Sequence, residues 1–269
     1  MTKILKKTHF RRRLAVLLIP AALWVIAGCG NSRSSGRVKQ YIYRIENRYP
    51  HDRQAYTQGL FFHRGRLYES TGQYGLSSFR KIDLSTGDIV GNYTLPASVF
   101  AEGACVLNDT LYQLSWMEHT CFVYDTAFRR IGEFHYDGEG WGLTTDGEHL
   151  IMSDGSSVLK ILHPADFSEQ RYIHVTYEGK AIPLLNELEY IDGEIWANVY
   201  TSDYIVRINP ASGKVTGVVF MQNLLPQELR TARTDVLNGI AYDAATKKIF
   251  VTGKNWPTLY EIRVVAIGD

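Results

Sequence analysis

Short runs rich in Tyr, Phe, Val and Ile alternate along this chain with Gly, Asp and Asn turns, and helical periodicity is nearly absent. That is the pattern of an all-β protein. One short helix is predicted, over residues 226–234. The strands recur in units. Segments beginning Gln58-Gly59-Leu60, Glu102-Gly103-Ala104, Trp141-Gly142-Leu143, Asn186-Glu187-Leu188 and Asn238-Gly239-Ile240 each open one. Each leads through a tight turn into a second strand of the form LYEST, LYQLSW, LIMSDG, IWANVY or IFVTGK. The repeating glycine or its equivalent steps by 44, 39, 45 and 52 residues. Four strands at such a period predict propeller blades. The fifth unit lacks an outer strand, and residues 40–49 (QYIYRIENRY) are a spare one. Placing that strand beside the last unit closes the ring and covers two sheet edges. The expectation is one domain over residues 40–269, a five-bladed β-propeller closed by its N-terminal strand. A six-bladed ring would need a repeat the chain does not contain.

Charge changes the picture at the N-terminus. The 269 residues carry a net charge of +1, but residues 1–28 hold six basic and no acidic side chains. Residues 29–269 then have 23 basic against 28 acidic residues, a balance of −5. This excludes a strongly basic nucleic-acid binder, and the 45% apolar content excludes general disorder. The basic run ends at Arg13, and residues 14–27 are uncharged, interrupted by Pro20. A basic segment before an apolar stretch too short for a comfortable bilayer span is the pattern of a signal peptide, expected over residues 1–28. Ile26-Ala27-Gly28-Cys29 resembles the bacterial lipobox, with Cys29 as the lipidated residue. Residues 29–39 then form a polar tether. The expected location is the bacterial cell envelope, lipid-anchored and facing periplasm or exterior. The membrane is a partner through the anchor, and nucleic acid is not.

Cys105 and Cys121 are the remaining cysteines. They fall on the first and third strands of one unit, about 10 Å apart, beyond the ~7 Å Cα separation a disulfide tolerates, so they are expected to stay unpaired. There is no phosphate-binding glycine loop, no Gly-x-Ser-x-Gly and no His-Glu-x-x-His. Most histidines sit next to turns and are expected at the surface. The unusual polar and aromatic residues gather where propeller loops surround a channel mouth. Tyr56, Gln58, Glu102, Trp141, Asn186, Glu187 and Asn238 lie at or before first strands, and Trp116, Asp154, Tyr200 and Lys254 follow second ones.

The motifs YTQGLFF, LYESTGQYGLSSFRKID, AEGACVLNDTLYQLSW, GWGLTTDGEHLIMSDGS, LNELEYIDGEIWANVY and LNGIAYD…VTGKNWPTLYEI run through the chain in order. Together, over residues 41–262, they resemble the plant and bacterial type of glutaminyl cyclase, also called glutaminyl-peptide cyclotransferase or glutamine cyclotransferase. The resemblance implies a five-bladed propeller that converts an N-terminal glutamine of a peptide to pyroglutamate with release of ammonia, without zinc. It implies Glu102 as the proton-shuttling carboxyl and Lys254 and Asn186 as donors to the oxyanion. Gln58 would hold substrate polar groups, and Tyr56, Trp116, Trp141 and Tyr200 would wall the pocket. Tyr56 stands where relatives commonly have Phe, and Tyr200 where the plant pattern has Trp. Glu69 and Asp154 are expected in supporting roles. No cofactor is expected for catalysis, a structural calcium ion is compatible with the family, and the protein is expected to act as a monomer on peptides or proteins with N-terminal Gln. Two other classes compete: a non-catalytic propeller scaffold of the envelope, and a lactonase-like hydrolase needing a ring of metal-binding carboxylates.

Overall fold

The computed structural model describes residues 38–268. The expected signal segment, Cys29 and residues 30–37 of the expected tether lie outside the described residues. The described chain is all-β, with no α-helix among the described residues. It begins with β1 (Lys39–Pro50). Next, β2 (Thr57–His63), β3 (Arg66–Thr71), β4 (Ser78–Ile82) and β5 (Ile89–Thr94) form a four-stranded antiparallel sheet in chain order. So do β6 (Ala101–Leu107), β7 (Thr110–Ser115), β8 (Thr120–Asp125) and β9 (Arg130–His135). A third such sheet contains β10 (Leu143–Thr145), β11 (Leu150–Met152), β12 (Val158–Leu162) and β13 (Glu169–His174). A small ribbon, β14 (Thr176–Tyr177) and β15 (Lys180–Ala181), precedes β16 (Leu185–Ile191), β17 (Glu194–Val199), β18 (Tyr204–Ile208) and β19 (Val215–Phe220). The last strands are β20 (Leu237–Asp243), β21 (Lys248–Gly253) and β22 (Thr258–Ala266).

The two final groups share one eight-stranded sheet, ordered β16-β17-β18-β19-β1-β22-β21-β20. The spare strand does more here than its sequence suggested. It pairs antiparallel with β22, from Tyr41 opposite Ala266 to Pro50 opposite Thr258. Its first residues also run parallel to β19, with Lys39 opposite Gly217 and Ile42 opposite Phe220. Two strand edges that would otherwise present free N–H and C=O groups are thereby satisfied.

Turn chemistry sets the strand spacing. Asp83 Oδ1 accepts from the N–H groups of Ser85 and Thr86, and Asn209 Oδ1 does the same for Ala211 and Ser212. These Asx turns close the outer hairpins. The short helix predicted over residues 226–234 is reduced to one 3₁₀ turn, Gln227–Leu229. Arg230 is extended, and Thr231 N–H donates to Thr234 Oγ1, so a threonine side chain takes up backbone bonding that a helix would have used.

First strands are buried along most of their length, whereas the outer strands β5, β9 and β13 are mostly exposed. Apolar side chains interleave between neighbouring units. Leu143, Leu150 and Met152 of the third sheet pack with Leu114, Cys105 and Cys121 of the second. Both cysteines are free and buried, with strand β7 between their strands. Burial pushes both thiols up.

The first strands β2, β6, β10, β16 and β20 lie side by side in that order, and β20 also neighbours β2. They come too close for ordinary side chains. A Cβ on Gly103 would sit 2.6 Å from the Gly142 carbonyl carbon, and one on Gly59 would sit 2.5 Å from Ala104 N. This is why the repeat keeps glycine. In the fourth unit Glu187 stands in its place, and its carboxylate accepts from the backbone N–H groups of Leu60 and Ile240. One side chain thus ties β16 to both β2 and β20.

Candidate active site

Four first strands carry the same irregularity. Pairing skips Gln58 between Thr57 and Gly59, and skips Glu102 and Gly103 between Ala101 and Ala104. It also skips Asn186 and Glu187, and Asn238 and Gly239. A bulge breaks the two-residue alternation and re-aims a side chain out of the sheet. Gln58, Glu102 and Asn186 are thereby turned into one cavity of about 310 Å³. The second strands deliver the rest: Trp116 follows β7, Tyr200 follows β17 and Lys254 follows β21. Tyr56 and Trp141 complete the lining with Phe100. All eight residues expected at the pocket are brought together there. Phe100, just before β6, also lines it and was missed.

Glu102 and Lys254 are 5% and 3% exposed. Gln58 Nε2 donates to Glu102 Oε1 at 3.0 Å, and Asn238 Nδ2 donates in turn to Gln58 Oε1 at 3.2 Å. Asn238 therefore stands one step behind the cavity, orienting Gln58. The Lys254 ammonium lies over the rings of Tyr56 (4.7 Å) and Tyr200 (5.0 Å). Asn186 Oδ1 is buried without a partner, a costly condition unless a ligand completes it. Burial pushes the Glu102 carboxyl well above the usual carboxylate range; the Lys254 charge opposes this, and Glu139 and Glu118 reinforce it. Burial likewise lowers the Lys254 ammonium, against the pull of Glu102 and Asp235. Each charged group is thus driven toward its neutral form.

Other expected residues lie elsewhere. Glu187 spans strands as described, and Asp154 Oδ1 accepts from Ser156 N–H in a turn. Glu69 is fully buried and accepts from Thr57 Oγ1 at 2.7 Å and from His51 Nε2 at 2.9 Å. His51 corrects the surface expectation for the histidines: it is buried, and its Nδ1 donates to the Trp256 carbonyl at 2.7 Å. With acceptors at both ring nitrogens, the imidazole is held protonated. Burial works against this, but the Glu69 charge and these hydrogen bonds outweigh it and raise the His51 pKa. Asp235 was also missed. Its carboxylate accepts from the Tyr56 hydroxyl at 3.0 Å, so the extra oxygen of this Tyr docks the loop before β20. Glu139, half-buried, accepts from the indole N–H groups of both Trp116 and Trp141.

Among the described residues, no group of three or more His, Cys, Asp or Glu side chains is placed to hold a metal ion. A larger groove, about 610 Å³, lies in the eight-stranded sheet, lined from β1, β17, β18, β21 and β22, and includes Trp196, Arg207, Lys248 and Arg263. Arg207, Lys248 and Arg263 are already paired, with Glu194, Glu261 and Glu46, and none of the cavity residues lies there.

Residues 17–264 match the family model described as glutamine cyclotransferase. The chain belongs to the glutamine cyclotransferase family. It is 38% identical to the glutaminyl-peptide cyclotransferase of Arabidopsis thaliana, across 97% of this chain and 86% of that protein. The crystal structure of Myxococcus xanthus glutaminyl cyclase superposes with a TM-score of 0.80 at 34% identity, covering 86% of this chain and all of that one. A glutamine cyclotransferase must cyclise a glutamine in place, and the aromatic cavity with one buried carboxyl and one ammonium has the ingredients for it.

Proposed function

We propose that this chain is a glutaminyl-peptide cyclotransferase, converting the N-terminal glutamine of peptides or proteins to pyroglutamate with release of ammonia. The observation that carries the reading is Glu102, buried beside Lys254 and Asn186 in a cavity walled by aromatic rings, in a chain of this family. The glutaminyl side chain enters between Trp116 and Trp141. Once folded against these walls, its neutral α-amine lies near the side-chain amide carbon, and closing a five-membered ring is favoured by proximity alone. Ionised Glu102 takes the proton of the attacking amine as the new N–C bond forms. Its raised pKa brings it toward that of the amine, the match general-base catalysis needs. The negative charge developing on the amide oxygen is met by the Lys254 ammonium and the Asn186 amide. Glu102 then returns its proton to the departing nitrogen, the C–N bond breaks, and ammonia leaves. With Gln58 donating to Oε1, Oε2 is the oxygen that exchanges the proton.

The same reading takes the five groups of strands as the five blades of a propeller. The succession of first strands from β2 to β20, and β1 joined to β22, support it. Residues 1–28 are read as the signal peptide and Cys29 as the lipidated residue. The monomeric enzyme then stands at the outer side of a bacterial membrane, where signal cleavage creates new N-termini. A Gln-initiated peptide incubated with purified protein is expected to lose the mass of one ammonia, with or without EDTA, and Glu102→Gln is expected to slow this by about 10²–10⁴. No mass loss with the wild-type protein would refute the assignment. Membrane fractionation of Cys29→Ala tests the anchor, which is expected to be lost.

A further inference from the structure

Trp116 and Trp141 come from different sheets, yet their indole N–H groups converge on one atom. Both donate to Glu139 Oε2, at 2.7 and 2.8 Å. Indole is a donor only, so two converging N–H groups call for an acceptor, and an anionic one binds them most strongly. Glu139 is itself held in place. Gly140 N–H donates to the Trp116 carbonyl, the Gly138 carbonyl accepts from His119 Nδ1, and the Tyr136 hydroxyl donates to the Ser115 carbonyl. On their other sides the rings meet Phe100 and Tyr200, each with centroids 5.6 Å away.

We propose that Glu139 is a positioning residue of this site, one carboxylate oxygen setting the gap between the two indole walls and placing a fixed negative charge near Glu102. The proposal rests on the cyclotransferase reading for its catalytic part, and on geometry alone for the walls. Without the shared acceptor each indole could turn about its side-chain bonds, and the slot for the glutaminyl chain would lose its width. The charge has a separate consequence. The titratable groups that act on or are acted on by Glu102 are Lys254, Glu118, Glu139, Tyr56, Tyr74 and Tyr136. Removing the Glu139 anion lowers the Glu102 pKa, so Glu102 stays ionised, and able to accept a proton, at lower pH.

Two variants of the full-length protein separate these roles. Glu139→Gln keeps an acceptor oxygen and loses the charge, whereas Glu139→Ala loses both. The readouts are KM and kcat against pH with a Gln-initiated peptide, and near-ultraviolet circular dichroism of the free protein. Glu139→Ala is expected to raise KM about tenfold or more, as loss of two charge-assisted hydrogen bonds implies. It is also expected to flatten the tryptophan bands. Glu139→Gln is expected to keep both near wild type while moving the acid limb of kcat down by about half a pH unit, a modest shift because the residue is half-exposed. Wild-type KM and tryptophan bands in Glu139→Ala would overturn the proposal, as would an unmoved acid limb in Glu139→Gln. If the alanine variant does not fold, the glutamine variant alone decides. A wild-type protein without cyclase activity would refute the function instead, and the tryptophan spectra would still test the walls.

Discussion

Replacing Gly103 by alanine places a methyl group against the backbone of the neighbouring sheet. The new Cβ would lie 2.6 and 2.7 Å from the carbonyl carbon and Cα of Gly142, and closer still to Leu143 N, where ordinary contact begins at 3.4 Å. None of these atoms belongs to a side chain that could swing away, so β6 and the start of β10 must separate by about 1 Å. Overpacking of this kind costs about 3 kcal/mol when the neighbours are rigid. For a domain of this size each kcal/mol lowers Tm by about 2–4 °C, which gives a fall of roughly 6–12 °C. The same displacement moves Glu102 relative to Trp141 and Asn186, and a misplacement of about 1 Å lowers kcat roughly 100-fold. Calorimetry and initial rates of pyroglutamate formation measure the two effects. Gly132→Ala is the control: it lies on the mostly exposed β9, and its nearest neighbour would be Val123 Cβ at 4.0 Å. That variant should stay within about 0.5 kcal/mol of wild type. A Gly103→Ala protein with wild-type Tm and kcat would refute the close-approach account of the repeat.

Glu102→Gln should lower kcat by about 10²–10⁴ while leaving the fold intact. Its stability relative to wild type should improve as pH rises: a carboxyl with a raised folded pKa keeps a proton that the unfolded chain has released, so wild-type stability declines above about pH 4.5, as unfolding in urea at pH 5 and 8 would show. Lys254→Met keeps the packed stem and removes the ammonium, and single-turnover rates should fall by about 10²–10³ with little change in Tm. His51→Leu leaves the Glu69 carboxylate buried and unpaired, a loss of about 3–5 kcal/mol in chemical denaturation, much of it restored in His51→Leu/Glu69→Leu. Burial raises the Glu69 pKa, but His51, Arg80 and Thr57 outweigh it and lower it, so its contribution disappears as pH falls below that value. The raised His51 pKa makes its contribution disappear as pH rises through it, so the difference should be greatest between about pH 4.5 and 6.5.

Much of the site was legible in the chain because its members recur at one place in each unit. Gln58, Glu102 and Asn186 open first strands, and the motif resemblance supplied their roles. What positions them was not legible. Strand alternation alone would have sent Glu102 and Gly103 to opposite faces, and only the bulge between Ala101 and Ala104 shows how the carboxyl reaches the cavity. His51 beside a turn looked like a surface residue. It is buried because Glu69 and the Trp256 carbonyl close over it, the latter from a residue 205 positions away.

The sequence by itself determined the strand class, the repeat period, the hairpin turns and the family, because alternation, Asx turns and motifs are local properties of neighbouring residues. The tertiary structure decided which side chains meet. Asp235 reaches Tyr56 across 179 residues, β1 joins β19 as well as β22, and Glu139 binds Trp116 across 23 residues. Such contacts depend on strand register, bulges and the packing of one sheet on the next, and no local pattern encodes where those bring two distant segments together.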